Sequence, residues 1–137
     1  MTLPDVTALR FADNLRELTK DVDVILSDVW GVIHNGRESF PAACDALARF
    51  RAEVGPVVLI SNAPRPHPPI VEQLDSLDVP RAAWTKLITS GDATRALLAE
   101  RAPGPVWTIG PERGRDCERA AGARSPIRRC LRRRRHR

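Results

Sequence analysis

Short apolar runs that each stop at small polar residues set the narrowest bounds on this 137-residue chain. The first, Val24-Ile25-Leu26, lies within the stretch 22–36 and leads through Ser27 to Asp28. It is rich in β-branching and too short for an ordinary helix, so it predicts a buried strand. Residues 56–60 repeat the pattern and end in Ser61-Asn62-Ala63. Residues 87–89 and 106–109 are shorter versions of it, the last closed by Gly110-Pro111.

Helical patterns fill the gaps. Over 5–20, Ala8, Phe11, Leu15 and Leu18 recur on one face. Pro41 opens a second helix, to about residue 54, with Ala43, Ala46, Leu47 and Phe50 on one face and Gly55 as its stop. A third spans 69–77, its first turn able to hold Pro68 and Pro69. Asp78 stands where a glycine would end that helix with less strain. Asp92 is the expected cap of a fourth, over 93–101. Strand–helix alternation predicts an α/β, Rossmann-like parallel sheet with helices on both faces and right-handed crossovers.

Charge divides the chain at about residue 112, and the strand–helix pattern stops after about residue 116. The net charge of +5 combines a mildly acidic body with a C-terminal stretch whose acids are far outnumbered by arginine, ending Arg-Arg-Arg-Arg-His-Arg. Residues 1–116 are expected to form the domain, and 117–137 a disordered basic tail. The cysteines Cys44, Cys117 and Cys130 have no metal-ligand spacing, and a scattered odd set suits a reduced, cytoplasmic chain. No apolar run is long enough to suggest a signal peptide or a membrane span.

The strand ends carry the chemistry. Ligands of open α/β sheets bind outside the carboxyl ends of the strands. If the first two strands are neighbours, Asp28, Ser61 and Asn62 meet in one crevice. A carboxylate can attack phosphorus or hold a cation, and a hydroxyl and an amide can donate hydrogen bonds to phosphoryl oxygens. The same residues also suit a turn and a helix cap. His34 and His67 read as loop residues, although His34 is near enough to touch a substrate. Trp84, Trp107 and Cys44 read as packing residues.

Asp28-Val29-Trp30-Gly31-Val32 with His34-Asn35-Gly36 resembles the first motif of the haloacid dehalogenase superfamily, and Leu59-Ile60-Ser61-Asn62-Ala63 its second. Thr89-Ser90-Gly91-Asp92-Ala93-Thr94 and Val106-Trp107-Thr108-Ile109-Gly110 are similar to later core segments of its class IIA, the NagD-like phosphatases. The resemblance covers roughly residues 10–115. It implies a partial core of a Mg²⁺-dependent phosphatase acting on a small phosphorylated metabolite. Asp28 would be the nucleophile and a metal ligand, the Trp30 backbone carbonyl a second ligand, and Ser61 and Asn62 the phosphate-binding residues.

Three departures stand beside it. Trp30 occupies the position where the family's usual motif has an acid–base Asp, although a class IIA subgroup reads Asp-x-Trp-Gly-Val. No Lys follows Lys86, and no later Gly-Asp precedes another acid, so the third and fourth motifs are missing. The class IIA cap domain is missing as well. Inactivity or impairment is the expectation for the chain alone. The arginine-rich end matches out-of-frame translation of a high-GC gene. The alternative is a non-catalytic protein that binds nucleic acid through the tail by phosphate neutralisation. Without an aromatic residue there for base stacking, specific nucleic-acid binding is not expected.

Overall fold

The computed structural model describes residues 12–102 and residue 105. The expected strand at 106–109, Trp107 and the basic tail lie outside the described residues. Three strands, β1 (Ile25–Asp28), β2 (Val57–Ser61) and β3 (Lys86–Thr89), form a parallel sheet in the order β1-β2-β3. Helix α1 (Leu15–Leu18) precedes β1, α2 (Pro41–Glu53) and α3 (His67–Ser76) make the crossovers, and α4 (Ser90–Glu100) follows β3. This is the α/β, Rossmann-like fold that the strand–helix alternation predicts, except that among the described residues both crossover helices lie on one face of the sheet. No helix among the described residues is long and apolar enough to cross a membrane.

Helix α1 departs from expectation. Asn14 is extended, and its side chain accepts a hydrogen bond from the Glu17 N–H, so the helix starts at Leu15. A local cap here outweighs the apolar spacing that suggested a helix running through residues 12–14. The start of α2 follows its sequence: Pro41 sits in the first turn, where its missing N–H costs nothing. Cys44, Leu47 and Phe50 then recur every three residues and are buried. Helix α3 starts at His67, two residues earlier than expected, and takes Pro68 and Pro69 into its first turn.

Its other end is a Schellman motif. The Val79 N–H donates to the Leu74 carbonyl at 3.0 Å, and the Asp78 N–H to that of Asp75 at 3.1 Å. Asp78 has φ +56°, the left-handed conformation that a Cβ makes costly. A short 3₁₀ turn, Arg81–Ala83, follows, a feature that neither apolar spacing nor glycine had signalled. The Arg51 guanidinium of α2 ties it down, donating to the Ala82 carbonyl and the Thr85 hydroxyl, each at 3.2 Å. The Arg81 guanidinium lies over the Trp84 ring at 5.0 Å, within cation–π range.

Buried residues of α2 and α3 share one core with Val57, Leu59 and Leu87. Both crossover helices thus cover the same face of the sheet, and the two crossovers have one hand. Across the sheet, Leu26 is 66% and Ile60 44% exposed. The described residues therefore bury one face and leave the other open, which favours association of apolar surface.

Two substitutions separate the faces. Leu59→Ala, in the closed core, should cost roughly 2–5 kcal/mol in urea unfolding. Leu26→Lys, on the open face, should change stability by no more than about 0.5 kcal/mol and reduce aggregation measured by light scattering.

Candidate active site

Strand register decides which side chains meet. Asp28 pairs with Ile60, and side chains alternate along a strand. Leu26, Asp28 and Ile60 therefore share the open face, while Ser27, Leu59 and Leu87 share the other. At the carboxyl ends, Leu26, Ser27, Asp28, Trp30, Ile60 and Asn62 line a cleft of about 630 Å³.

Asp28 is exposed at the end of β1. The Val29 N–H donates to its Oδ1 at 2.7 Å, and the Ser27 hydroxyl to its backbone carbonyl at 2.9 Å. Among the described residues, its Oδ2 has no hydrogen-bond partner. One oxygen is held by the backbone and the other is left for the cleft.

The chain then turns sharply. Gly31 takes φ +79°, open to glycine at little cost. Its N–H donates to the His34 carbonyl at 2.7 Å, and the Ile33 N–H to the Val29 carbonyl at 2.9 Å. The Trp30 carbonyl accepts none of the turn's backbone hydrogen bonds among the described residues. Trp30 is 65% exposed. A Cβ on Gly36 would come within van der Waals contact of its Nε1, at 3.5 Å.

His34 is no free loop residue. It is buried, and its Nδ1 accepts from the Gly36 N–H at 2.9 Å. Accepting there requires a neutral ring with its proton on the other nitrogen. Burial pushes the imidazole pKa down and favours that form. His34 holds the turn and does not line the cleft.

The structure brings Asp28, Trp30 and Asn62 together, but Ser61 does not line the cleft. Ser61 pairs with Thr89 across β2 and β3, on the face opposite Asp28, and is buried. Its hydroxyl accepts from the Ala63 N–H at 3.2 Å and so shapes the turn that presents Asn62.

The start of α4 holds the rest of that loop. Thr89, not Asp92, is the N-cap, and Asp92 completes a reciprocal capping box three residues on. The Thr89 hydroxyl is 2.6 Å from the Arg65 carbonyl and 2.9 Å from Asp92 Oδ2. The Gly91 N–H donates to the Ala63 carbonyl at 3.1 Å, and a Cβ on Gly91 would overlap the Arg65 backbone. Asp92 Oδ1 accepts from the His67 N–H at 3.1 Å and lies 3.0 Å from His67 Nδ1. The pattern Thr-x-x-Asp at 89–92 is a capping-box signal, legible in the sequence but not used there. The pairing with residues 63–67 is tertiary and leaves no local signal.

Burial acts to raise the Asp92 pKa, yet the hydrogen bonds from His67 and Thr89 outweigh it and hold the carboxyl below its ordinary value. A depressed folded-state pKa contributes stability above the unfolded-state value of about 3.9, lost as pH falls through the folded one. Urea unfolding should show wild type ahead of Asp92→Asn by a constant margin above about pH 5, narrowing below about pH 4.

Magnesium prefers hard oxygen donors and retains several waters. The Asp28 Oδ2 and the Trp30 carbonyl, neither with a hydrogen-bond partner among the described residues, suit it in kind as two ligands. No group of three or more His, Cys, Asp or Glu among the described residues is placed to hold a metal.

A family model described as haloacid dehalogenase-like hydrolase matches residues 25–124. The chain belongs to the haloacid dehalogenase-like hydrolase family. A solved hydrolase of that family from Brucella suis is 40% identical, with a TM-score of 0.75, over 87% of this chain and 45% of its own. A hypothetical protein from Pyrococcus horikoshii is 25% identical, with a TM-score of 0.55, over 72% of this chain and 38% of its own. No curated protein matches. The chain thus spans less than half the length of these solved relatives. The haloacid dehalogenase-like match runs past residue 116, where the strand–helix pattern was expected to stop, and ends at 124.

Proposed function

We propose that this cleft is the phosphoryl-transfer site of a class IIA, NagD-like phosphatase that acts in the cytoplasm on a small phosphorylated metabolite. One observation carries the reading: Asp28 stands at the carboxyl end of β1 with Oδ2 unpartnered among the described residues, in the cleft that Asn62 also lines. The free oxygen would attack phosphorus, forming an aspartyl-phosphate as the bond to the leaving oxygen breaks. Water would then release phosphate and regenerate the carboxylate. The Asn62 amide would donate to a phosphoryl oxygen, and Ser61 supports it through the turn to Ala63. Asp28 and the Trp30 carbonyl would hold Mg²⁺, which when bound screens the repulsion between carboxylate and phosphate.

Trp30 limits the rate. An indole cannot hand a proton to the leaving oxygen near neutral pH, and loss of general acid–base help costs about 10²- to 10⁴-fold. Slow turnover with intact phosphate binding is the expected behaviour. With Mg²⁺ present, inorganic phosphate should raise the melting temperature of the chain, and p-nitrophenyl phosphate should be hydrolysed slowly or not at all. Asp28→Asn should abolish whatever hydrolysis is measured. Robust hydrolysis that survives Asp28→Asn would overturn the assignment of the nucleophile.

A further inference from the structure

We propose that Asn35 is a self-modifying site, which the turn after β1 converts to aspartate and isoaspartate by closing a succinimide with the Gly36 nitrogen. Of the chain's asparagines, Asn14, Asn35 and Asn62, Asn35 alone precedes a glycine. Such a ring closure needs the following amide nitrogen to be open to approach. It also needs a base for the proton on that nitrogen and donors for the charge that develops on the side-chain oxygen.

Residues 34–38 supply all three. Gly36 has no side chain to shield its nitrogen, and its φ of +86° suits glycine. Its N–H donates to His34 Nδ1 at 2.9 Å, so an imidazole lone pair lies on the proton that has to leave. Asn35 Oδ1 accepts from the Arg37 N–H at 2.9 Å and from the Glu38 N–H at 3.0 Å. These bonds draw the side chain forward along the turn and polarise its carbonyl. The Asn35 N–H donates to the Glu38 carbonyl at 3.1 Å, and the Phe40 N–H to the Ile33 carbonyl at 2.7 Å, which fixes the ends of the turn.

In the reaction the Gly36 nitrogen bonds to Asn35 Cγ, and its proton passes to His34 Nδ1. The Cγ–Nδ2 bond then breaks. The amide nitrogen leaves as ammonia with a proton returned from His34 through solvent, and the imidazole ends neutral. Water opens the ring at either carbonyl. One opening leaves an aspartate, the other an isoaspartyl link that routes the backbone through the side chain. Asn35 Nδ2 donates to Glu38 Oε1 at 3.1 Å. In the aspartate product a carboxylate oxygen replaces that donor, so two like charges meet where a hydrogen bond held the turn. The change is one-way and acts on the turn that follows Asp28 and Trp30.

Peptide mass spectrometry of the whole chain, kept folded in neutral buffer or unfolded in guanidinium at the same pH, tests the proposal. Conversion at Asn35 should run at least roughly tenfold faster in the folded chain, a fraction of what a placed base supplies. Asn14 and Asn62 serve as internal references. Equal or slower conversion in the folded chain would overturn the proposal, because the hydrogen bonds to Asn35 would then protect the amide. His34→Gln keeps an acceptor for the Gly36 N–H but cannot take its proton. With circular dichroism showing the fold retained, this variant should convert at close to the unfolded rate, and an undiminished rate would overturn the role of His34. If His34→Gln does not fold, the comparison within the unsubstituted chain decides.

Discussion

The cleft depends on a clamp between the start of α4 and the loop after β2. Three donors and acceptors at the start of α4 hold three backbone positions: the Gly91 N–H on Ala63, the Thr89 hydroxyl on Arg65, and the Asp92 carboxylate on the His67 N–H. The loop carries prolines at 64 and 66, which supply no N–H of their own. Its internal hydrogen bond, from the Ala63 N–H to the Ser61 hydroxyl, is joined by three from the start of α4. Asn62 reaches the cleft beside a loop fastened at residues 63, 65 and 67 to a different element.

The other wall is fastened differently. The turn after β1 is tied within itself, through Gly31 to His34 and through Gly36 to the His34 ring. A buried neutral imidazole at its centre is both an acceptor and a packing group. The two walls are therefore tied by separate sets of hydrogen bonds.

The sequence shows the strands well because an apolar run of this length in a parallel sheet has few alternatives. It places Asp28 at a strand end for the same reason. What it leaves out is parity. Ser61 and Asn62 are adjacent, so they point to opposite faces, and which of them shares a face with Asp28 depends on the β1–β2 register. Register is a pairing between distant segments and has no local signature. Asp92 is a good cap in isolation, yet Thr89, three positions earlier, caps α4 with Asp92 as its reciprocal partner. Asn14 shows the opposite case, a local cap that overrides a convincing apolar spacing. The family, by contrast, was readable, because the order of several short motifs identifies more than any one of them does.

The pairing of Asp28 with Ile60 makes folding errors and chemical errors the same event. A slip of one residue in β1 would exchange the two faces of the strand. Asp28 would then turn toward the buried face that carries Leu59. Burying an unpaired carboxylate is costly enough to exclude that arrangement. Asp28 thus serves as a sentinel for its own strand: its charge penalises the misaligned sheet, and in the aligned sheet that charge faces the cleft.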